Sequence, residues 1–374
     1  MKIWSNIFWL GTKELRSVMG DVTMIILIVF LFSAQIYSRS TAISESVNNA
    51  SIAIVDEDHS TLSRNIANAF YPPYFKFAEQ ISASEVDQVM DQDRFMFVVS
   101  IPPRFEADVR DGRLPSVQID VDATAVTQAS LGNSYIQSII TKEVNFFVNR
   151  SNATIDYPVV LVQRRAFNPN GTMSWFSSMG ALLDNVTLLA IILTGAALLR
   201  EREHGTIEHL LVMPLTSFQI IMSKVWANGL IVLVAFSLSL FFMVETLLDV
   251  PIAGSRWLLV GGTTIYLFAA ASIGIFLGTI ARTMAQFALL LMIVIIPMML
   301  LSGGITPIES QPAIVQPFTW IFPSRHFMAF SQAVVFRGAD FSIVWPELLN
   351  IIGLGMVFFV SSLALFRRSI AVSK

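Results

Sequence analysis

Cysteine is missing from the chain altogether, which excludes disulfide staples, thiol nucleophiles and thiolate metal sites. Charge is scarce as well: Asp, Glu, Lys and Arg make up 14% of the residues and leave a net charge of −3. That balance offers no basic face for nucleic acid. His59 adjoins the acidic trio in Asp56-Glu57-Asp58-His59, but no further ligand joins that trio at metal-binding spacing. No Gly-x-x-x-x-Gly-Lys-Ser/Thr loop occurs, so the chain lacks the ordinary cradle for nucleotide phosphates. No nucleophile is arranged beside a base, and no catalytic residue is assigned. Any work this protein draws from a nucleotide needs another chain.

Apolar sequence is what the chain has in abundance. Hydrophobic residues supply 54% of it and the mean hydropathy is +0.64, well above a soluble profile. They gather in six runs, at 22–37, 173–199, 222–244, 257–280, 287–301 and 351–366. About 20 residues cross a hydrocarbon core of ~30 Å, so the first and fifth runs need their flanks. The expected fold is an α-helical polytopic membrane protein with six transmembrane helices. The first run outlasts a signal-peptide core and lacks a small-residue cleavage site, so it reads as a retained anchor. Lys2, Lys13 and Arg16 precede it, and Arg200, Arg202 and Lys224 fill the second connector. Arg282 lies between the fourth and fifth runs, and Arg367, Arg368 and Lys374 follow the sixth. The positive-inside rule places all of these, and both termini, in the cytoplasm.

The segment between the first two runs is too long and too polar to be a loop. Strand signals at 51–55, 94–101 and 117–121 alternate with helix signals at 60–71, 84–91, 105–110 and 128–148. Pro72-Pro73, Pro102-Pro103 and Gly112 punctuate them. A large α/β extracytoplasmic domain between helices one and two is expected, with a core of its own. Asp56-Glu57-Asp58 reads as its strand-to-helix turn, with Asp58 or Ser60 capping the helix that follows. The expected organisation is a cytoplasmic amphipathic helix at 1–21, a first transmembrane helix at 22–38, the outer domain at 39–170 and helices two to six at 171–374.

Four motifs remain. Arg200-Glu201-Arg202-Glu203-His204-Gly205-Thr206-Ile207-Glu208 opens a charged elbow over 200–221. Gly205 breaks the helix leaving the membrane, Thr206 caps a short new one, Pro214 ends it, and Ser217 is placed to cap the next. Alternating arginine and glutamate on a short helix suits a polar protein interface better than lipid. Ahead of the first span, Trp4, Ile7, Phe8 and Leu10 with Lys13, Glu14 and Arg16 form an interfacial amphipathic segment. After the fifth span, the outer hairpin 302–345 begins with Gly303, Gly304 and Pro307 and continues through Pro312, Pro317 and Pro323. Prolines at that spacing forbid a spanning helix, and two re-entrant half-helices are expected to form an outer gate. Asp184, with Asn185 and Thr187, sits inside the second run. A carboxylate there must face protein or a cavity, for a structural hydrogen bond or a translocation path, and no lysine, arginine or histidine within another run presents itself as its partner. Gly274 and Gly278 offer a small-xxx-small face, with packing within the chain as the default.

Together the amphipathic N-terminus, the single span before a large outer domain, Ile54-Val55-Asp56-Glu57-Asp58, Phe167-Asn168-Pro169-Asn170, the 200–214 string and the 301–307 turn resemble the permease subunits of type-2 ABC exporters over the whole length. That resemblance implies a bacterial inner-membrane location and a dimer of permeases, as a homodimer. It implies a separate cytosolic ABC ATPase that binds ATP and Mg, with no cofactor in this chain. It also implies coupling through the N-terminal helix and the elbow, at Arg200, Glu201, Arg202, Glu203, Gly205, Thr206 and Glu208, and often a periplasmic membrane-fusion adaptor. Amphiphilic or drug-like substrates are the expectation. An ion-coupled secondary transporter and a membrane-anchored receptor or assembly factor stand as alternatives; the first would show midplane charges in several spans and repeat symmetry.

Overall fold

A computed structural model describes residues 2–42, 47–92, 94–122, 126–149, 167–168, 172–203 and 215–372. The chain divides into two compact units, Met1–Ile43 with Arg165–Lys374, and Ser44–Arg164.

The first unit opens with α1 (Lys2–Met19), whose amphipathic sequence leaves Trp4, Phe8 and Trp9 exposed and buries Ile7. Asp21 then caps α2 (Val22–Phe32) by accepting the Met24 N–H at 3.2 Å. The helix breaks at Ser33 and resumes as α3 (Ala34–Thr41). Together they make a first span over Val22–Thr41, so Arg39 is helical and belongs to this unit, not to the outer segment where the sequence reading places it.

The second unit is α/β. Its strands are β1 (Ile52–Asp56), β2 (Glu79–Gln80), β3 (Phe97–Ile101) and β4 (Gln118–Val121), in the order β2-β1-β3-β4. β1 runs parallel to β2 and β3, and β4 closes antiparallel to β3. Four helices surround the sheet: α4 (Thr61–Asn68), α5 (Val86–Asp91), α6 (Phe105–Arg110) and α7 (Val126–Asn149). The period of two in the strands explains the layering. Ile52, Ile54, Phe97 and Val99 pack with Leu62 and Ile66 of α4 and Ile136 of α7. Ala53, Val55 and Val98 turn to the other face and meet Val89 of α5 and Phe95. A strand buried on both faces reads as a continuous apolar run, which is how 51–55 was recognisable. The two-residue β2 carries no such signal, and no strand was expected there.

Two of the acidic trio, Asp56 and Asp58, are taken up by the turn and helix ends. Asp56 accepts the N–H groups of Asp58 and His59 and the Ser63 hydroxyl. Ser60 caps α4 in a reciprocal box with Ser63. Asp58 reaches across to accept the Glu106 N–H at 3.0 Å, while Glu106 accepts the Leu62 N–H at 2.9 Å, so α4 and α6 cap each other.

The first unit resumes with α8 (Met173–Glu203), followed by α9 (Ser217–Ser239), α10 (Arg256–Ile280), α11 (Met284–Leu300), α12 (Gln316–Thr319), α13 (Pro323–Arg337) and α14 (Phe341–Val372). α9 continues as a widened turn through Leu247. Among the described residues five helical segments are long and apolar enough to cross a membrane: Val22–Thr41, Met173–Glu203, Ser217–Leu247, Arg256–Ile280 and Phe341–Arg368. The fifth expected span corresponds to α11, which is apolar but only 17 residues long and contains Pro297. α8 is apolar all round because it is the central helix, packed against α3, α9, α10 and α11. Its contact with α10 is close: a Cβ at Gly278 would lie 2.8 Å from the Gly195 carbonyl oxygen. The small residues at 274 and 278 therefore serve packing within the chain. By contrast Leu230, Val234 and Leu238 of α9, Leu289, Met292, Ile293 and Ile296 of α11, and Leu349, Ile352 and Met356 of α14 are exposed, as helices bordering lipid require.

The segment 44–164, having a core on both sheet faces, is expected to unfold cooperatively when excised. In it, burial raises the Asp58 carboxyl, but hydrogen bonds from Ser60 and from the N–H groups of Glu106, Arg104 and Phe105 outweigh this and hold it below its ordinary value. Asp58→Ala should cost about 1 kcal/mol at neutral pH, as lost caps do. A lowered pKa stabilises above the ordinary carboxylate range and is lost as pH falls through the lowered value. The gap in unfolding free energy between wild type and Asp58→Ala should therefore narrow as the pH is taken down through and below the ordinary carboxylate range; a gap independent of pH would contradict this capping role.

Candidate functional site

The charged string at the end of α8 takes part in a buried ionic cluster. Lys224, in the second turn of α9, is 1% exposed. Its ammonium lies 2.8 Å from Glu14 of α1 and 2.9 Å from Glu201 of α8, with the Ala197 carbonyl at 3.4 Å. One buried cation thus joins three helices from distant parts of the sequence. A lysine so placed is tolerable only because carboxylates and a carbonyl replace its water. Lys13 adds an outer contact to Glu201 at 3.7 Å.

The next two residues of the string tie α8 to the turn between α10 and α11. Arg202 donates to the carbonyls of Thr279 and Ala281 at 2.9 and 3.1 Å, covering the unsatisfied C-terminal end of α10. Glu203, itself exposed, accepts the Met284 N–H at 2.8 Å and so caps the first turn of α11. Arg200 lines a small cleft beside Lys13. Gly205, Thr206 and Glu208 lie outside the described residues, as does all of 204–214. The third span is capped by Thr216 and not, as expected, by Ser217: Thr216 forms a reciprocal box with Gln219.

Neutral contacts reinforce the joint. The Trp226 indole N–H donates to the Ile7 carbonyl at 3.1 Å, and Phe8 stacks on the Trp226 ring. The amphipathic helix is therefore fixed along α9 by a charge pair, a hydrogen bond and an aromatic stack. Its exposed Trp4 and Trp9 remain for the headgroup region.

Asp184 has a partner that the sequence reading missed. Arg39 donates to its carboxylate at 2.7 Å. The pairing puts Asp184 level with the last turns of the first span, where a guanidinium retains partial exposure, 28% against 6% for the acid. Arg39 was overlooked because it lies beyond the first apolar run, in a helix that only the fold extends. Its neighbour Asn185 donates to the Leu31 carbonyl at 2.6 Å and to Gln35 at 2.8 Å. Ser239 of α9 donates to the Phe32 carbonyl at 2.6 Å. These are carbonyls beside the break at Ser33, so side chains of the second and third spans satisfy the backbone that the first leaves open. Thr187 is held by Tyr266, hydroxyl to hydroxyl at 2.6 Å, with the Tyr266 ring stacked on Phe327 at 3.9 Å.

The segment 302–345 folds through two short helices of unequal length before α14. Gly303 turns the chain with φ +90°, Gly304 comes against Met328, and Pro307 precedes a single tight turn. The first helix, α12, has four residues; Pro323 starts the second, α13, of fifteen. Polar residues absent from the sequence reading hold it together. Arg325 donates to the Gln316 carbonyl and the Thr319 hydroxyl and stacks over Trp320. His326, 2% exposed, places Nδ1 2.6 Å from Glu347 of α14 and Nε2 3.3 Å from the Trp320 carbonyl. Hydropathy could not find these residues, since each lies in or beside an apolar stretch without a pattern of its own.

Among the described residues no group of three or more His, Cys, Asp or Glu could hold a metal ion. Several long apolar helices, two of them joined with α1 through one buried lysine and two carboxylates, define a polytopic membrane protein. Comparison with known proteins agrees. Residues 21–364 match the family described as ABC-2 family transporter protein, and the chain belongs to that family. It is 50% identical over 370 residues, 99% of both chains, to the inner membrane transport permease YhhJ of Escherichia coli K12. It is 25% identical over 372 residues, again 99% of both, to the probable multidrug ABC transporter permease YbhR of that organism. To the probable multidrug permease YbhS it is 24% identical over 95% of both chains.

Two combined-variant measurements follow. Lys224→Met should lower stability by about 3–5 kcal/mol, the cost of stranding buried charges; adding Glu14→Gln and Glu201→Gln should restore most of the melting midpoint of the purified protein. No recovery would mean that the node is incidental. Arg39→Leu and Asp184→Leu should each be destabilising, by about 2–5 kcal/mol, and together much less so than their sum. Additive effects would show that the two residues act separately.

Proposed function

We propose that the chain is the membrane-spanning permease of an ATP-driven exporter, powered by a separate ABC ATPase that binds ATP and Mg. The observation that carries the reading is the Lys224 node. It anchors α1 and the start of the 200–221 elbow to the same buried cation, so a push on either surface reaches the second and third spans together. In this reading Glu201 and Arg202 serve coupling from inside. Exposed Glu203 and the elbow residues beyond it, Gly205, Thr206 and Glu208 among them, meet the ATPase.

Six spans, both termini in the cytoplasm and an extracytoplasmic 44–164 unit complete the proposed topology. The short α11 and the hairpin after it form the outer part of the path, with Gly303, Gly304, Pro307 and Pro323 shaping the gate. Two copies of the chain would supply a twelve-helix core, and a periplasmic adaptor would receive the substrate. The multidrug designation of two relatives and the apolar hairpin favour amphiphilic or drug-like cargo in a bacterial inner membrane.

Reconstitution tests this directly. Vesicles holding the permease and its copurifying ATPase should move an amphiphilic dye only when ATP and magnesium are present on the ATPase side. Flux driven by an ion gradient with the ATPase omitted would contradict the proposal and favour a secondary transporter.

A further inference from the structure

We propose that the α/β unit binds a neutral glycan strand in a cleft between α4 and α7. The cleft has a volume of about 560 Å³, within the ~300–1,000 Å³ of small-ligand sites. A second hollow shares Asn65 with it and continues along α7 to Phe146, Phe147 and Val148. From Tyr135 to Val148 that helix rises about 20 Å, at ~1.5 Å per residue. The two hollows together suit an extended chain better than a compact molecule.

The side chains around the cleft select the chemistry. Of its eleven described lining residues, eight carry hydrogen-bonding side chains: three tyrosines, two asparagines, a serine, a lysine and a glutamate. Sites for drug-like ligands are predominantly hydrophobic with a small number of polar groups, and this cleft reverses that balance. Tyrosine hydroxyls and asparagine amides donate and accept alike, as sugar hydroxyls do. Tyr71 and Tyr74 are 58% and 44% exposed, and Tyr74 meets Tyr135 at 5.0 Å with the rings tilted by 43°. Such rings present an apolar face beside a polar tip, which matches a pyranose with its C–H face and its rim of hydroxyls. Charge is balanced as well. Lys142 is followed by Glu143, and Arg110 in the second hollow pairs with Glu106, so a neutral ligand fits.

The lip of the cleft is fixed before any ligand arrives. Tyr71 and Tyr74 flank Pro72 and Pro73. The carbonyls of Pro73 and Tyr74 accept the N–H groups of Asn49 and Ala50 at 2.8 and 3.0 Å, and Lys76 donates back to the Ala50 carbonyl at 2.9 Å. Beneath them Phe75 is wholly buried, edge-on to Phe70 and Phe97. Groups held in place lose little freedom on binding. The walls are helices whose backbones are already satisfied, so recognition falls to side chains and ring faces. An extended peptide would find no strand edge here for its N–H and C=O groups. The cleft belongs to the 44–164 unit alone, and sugar binding there holds whatever energises the chain.

The test is calorimetric titration of the full chain in phosphatidylcholine nanodiscs, which expose both faces and so make the outcome independent of topology and of any ATPase. Chitotetraose and cellotetraose serve as neutral probes. At least one should bind, and at least tenfold more tightly than its own monosaccharide. Tyr74→Ala should weaken that binding at least tenfold, and Tyr74→Phe less than threefold, since the ring face remains. Tyr71→Ala, at the more exposed position, should weaken binding while leaving the melting midpoint unchanged, which separates lost recognition from misfolding. The protein should also sediment with the matching insoluble polymer, chitin or cellulose, as binding to an internal stretch of a strand requires. Capture of the soluble tetramer without sedimentation would assign the cleft to free sugars and overturn the strand. Failure of both tetramers to bind, or binding that survives both alanine variants, would defeat the proposal. Binding of octaproline or rhodamine 6G in place of the tetramers, lost in Tyr74→Ala, would make the cleft a peptide groove or an amphiphile site and defeat it equally.

Discussion

The base of the helical unit depends on one constraint: a lysine ammonium with almost no contact with solvent must have its charge answered from within the chain. Lys224 meets it with Glu14 and Glu201, and thereby fixes where α1 and the end of α8 lie against α9. An isolated buried charge is costly, and a buried pair returns that cost only when geometry and extra acceptors are good. The Ala197 carbonyl supplies the third acceptor. Such a node adds little net stability compared with apolar packing. It does specify one arrangement, because any displacement of α1 or α8 strands a charge. Arg202 and Glu203 extend the same logic to the helix ends at 278–284, so successive residues of one string address four helices.

The other end of the bundle uses polar groups in the same manner. The first span breaks at Ser33, and its freed carbonyls at Leu31 and Phe32 are taken up by Asn185 and Ser239. Arg39 then anchors the continuation to Asp184. In lipid a broken helix persists only where neighbours satisfy it, and here the neighbours are the second and third spans, the two that the Lys224 node joins at the opposite end. The polar contacts at both ends thus fall on the same pair of helices. Between them the Gly195–Gly278 contact brings α8 and α10 close together.

Much of this was legible in the sequence, for reasons that particular residues make plain. Apolar runs announce spans because the bilayer demands length, and the run at 51–55 announced a strand buried on both faces. The turn at Asp56–Ser60 was legible because cap chemistry is local. Partnerships were not. Lys224 is 210 residues from Glu14, and Asp184 is 145 from Arg39; nothing in either neighbourhood encodes the other. Reading Arg39 as part of the outer segment followed from hydropathy, which stops at the first polar residues although the helix does not. His326 and Arg325 escaped notice for the converse reason, being single polar residues among apolar ones whose roles arise only when α13 meets α12 and α14.

The central claim is that the ionic node makes α1 and the third span one mechanical body. The chain has no native cysteine, so spin labels can be placed singly at Ser5 and Leu230, both exposed. The distance between them, measured by double electron–electron resonance in the complex with its ATPase, should keep one narrow distribution with and without bound ATP. In Lys224→Met it should broaden or split. A wild-type distance that shifts with nucleotide by more than the width of its distribution would contradict the account, because the two helices would then move independently.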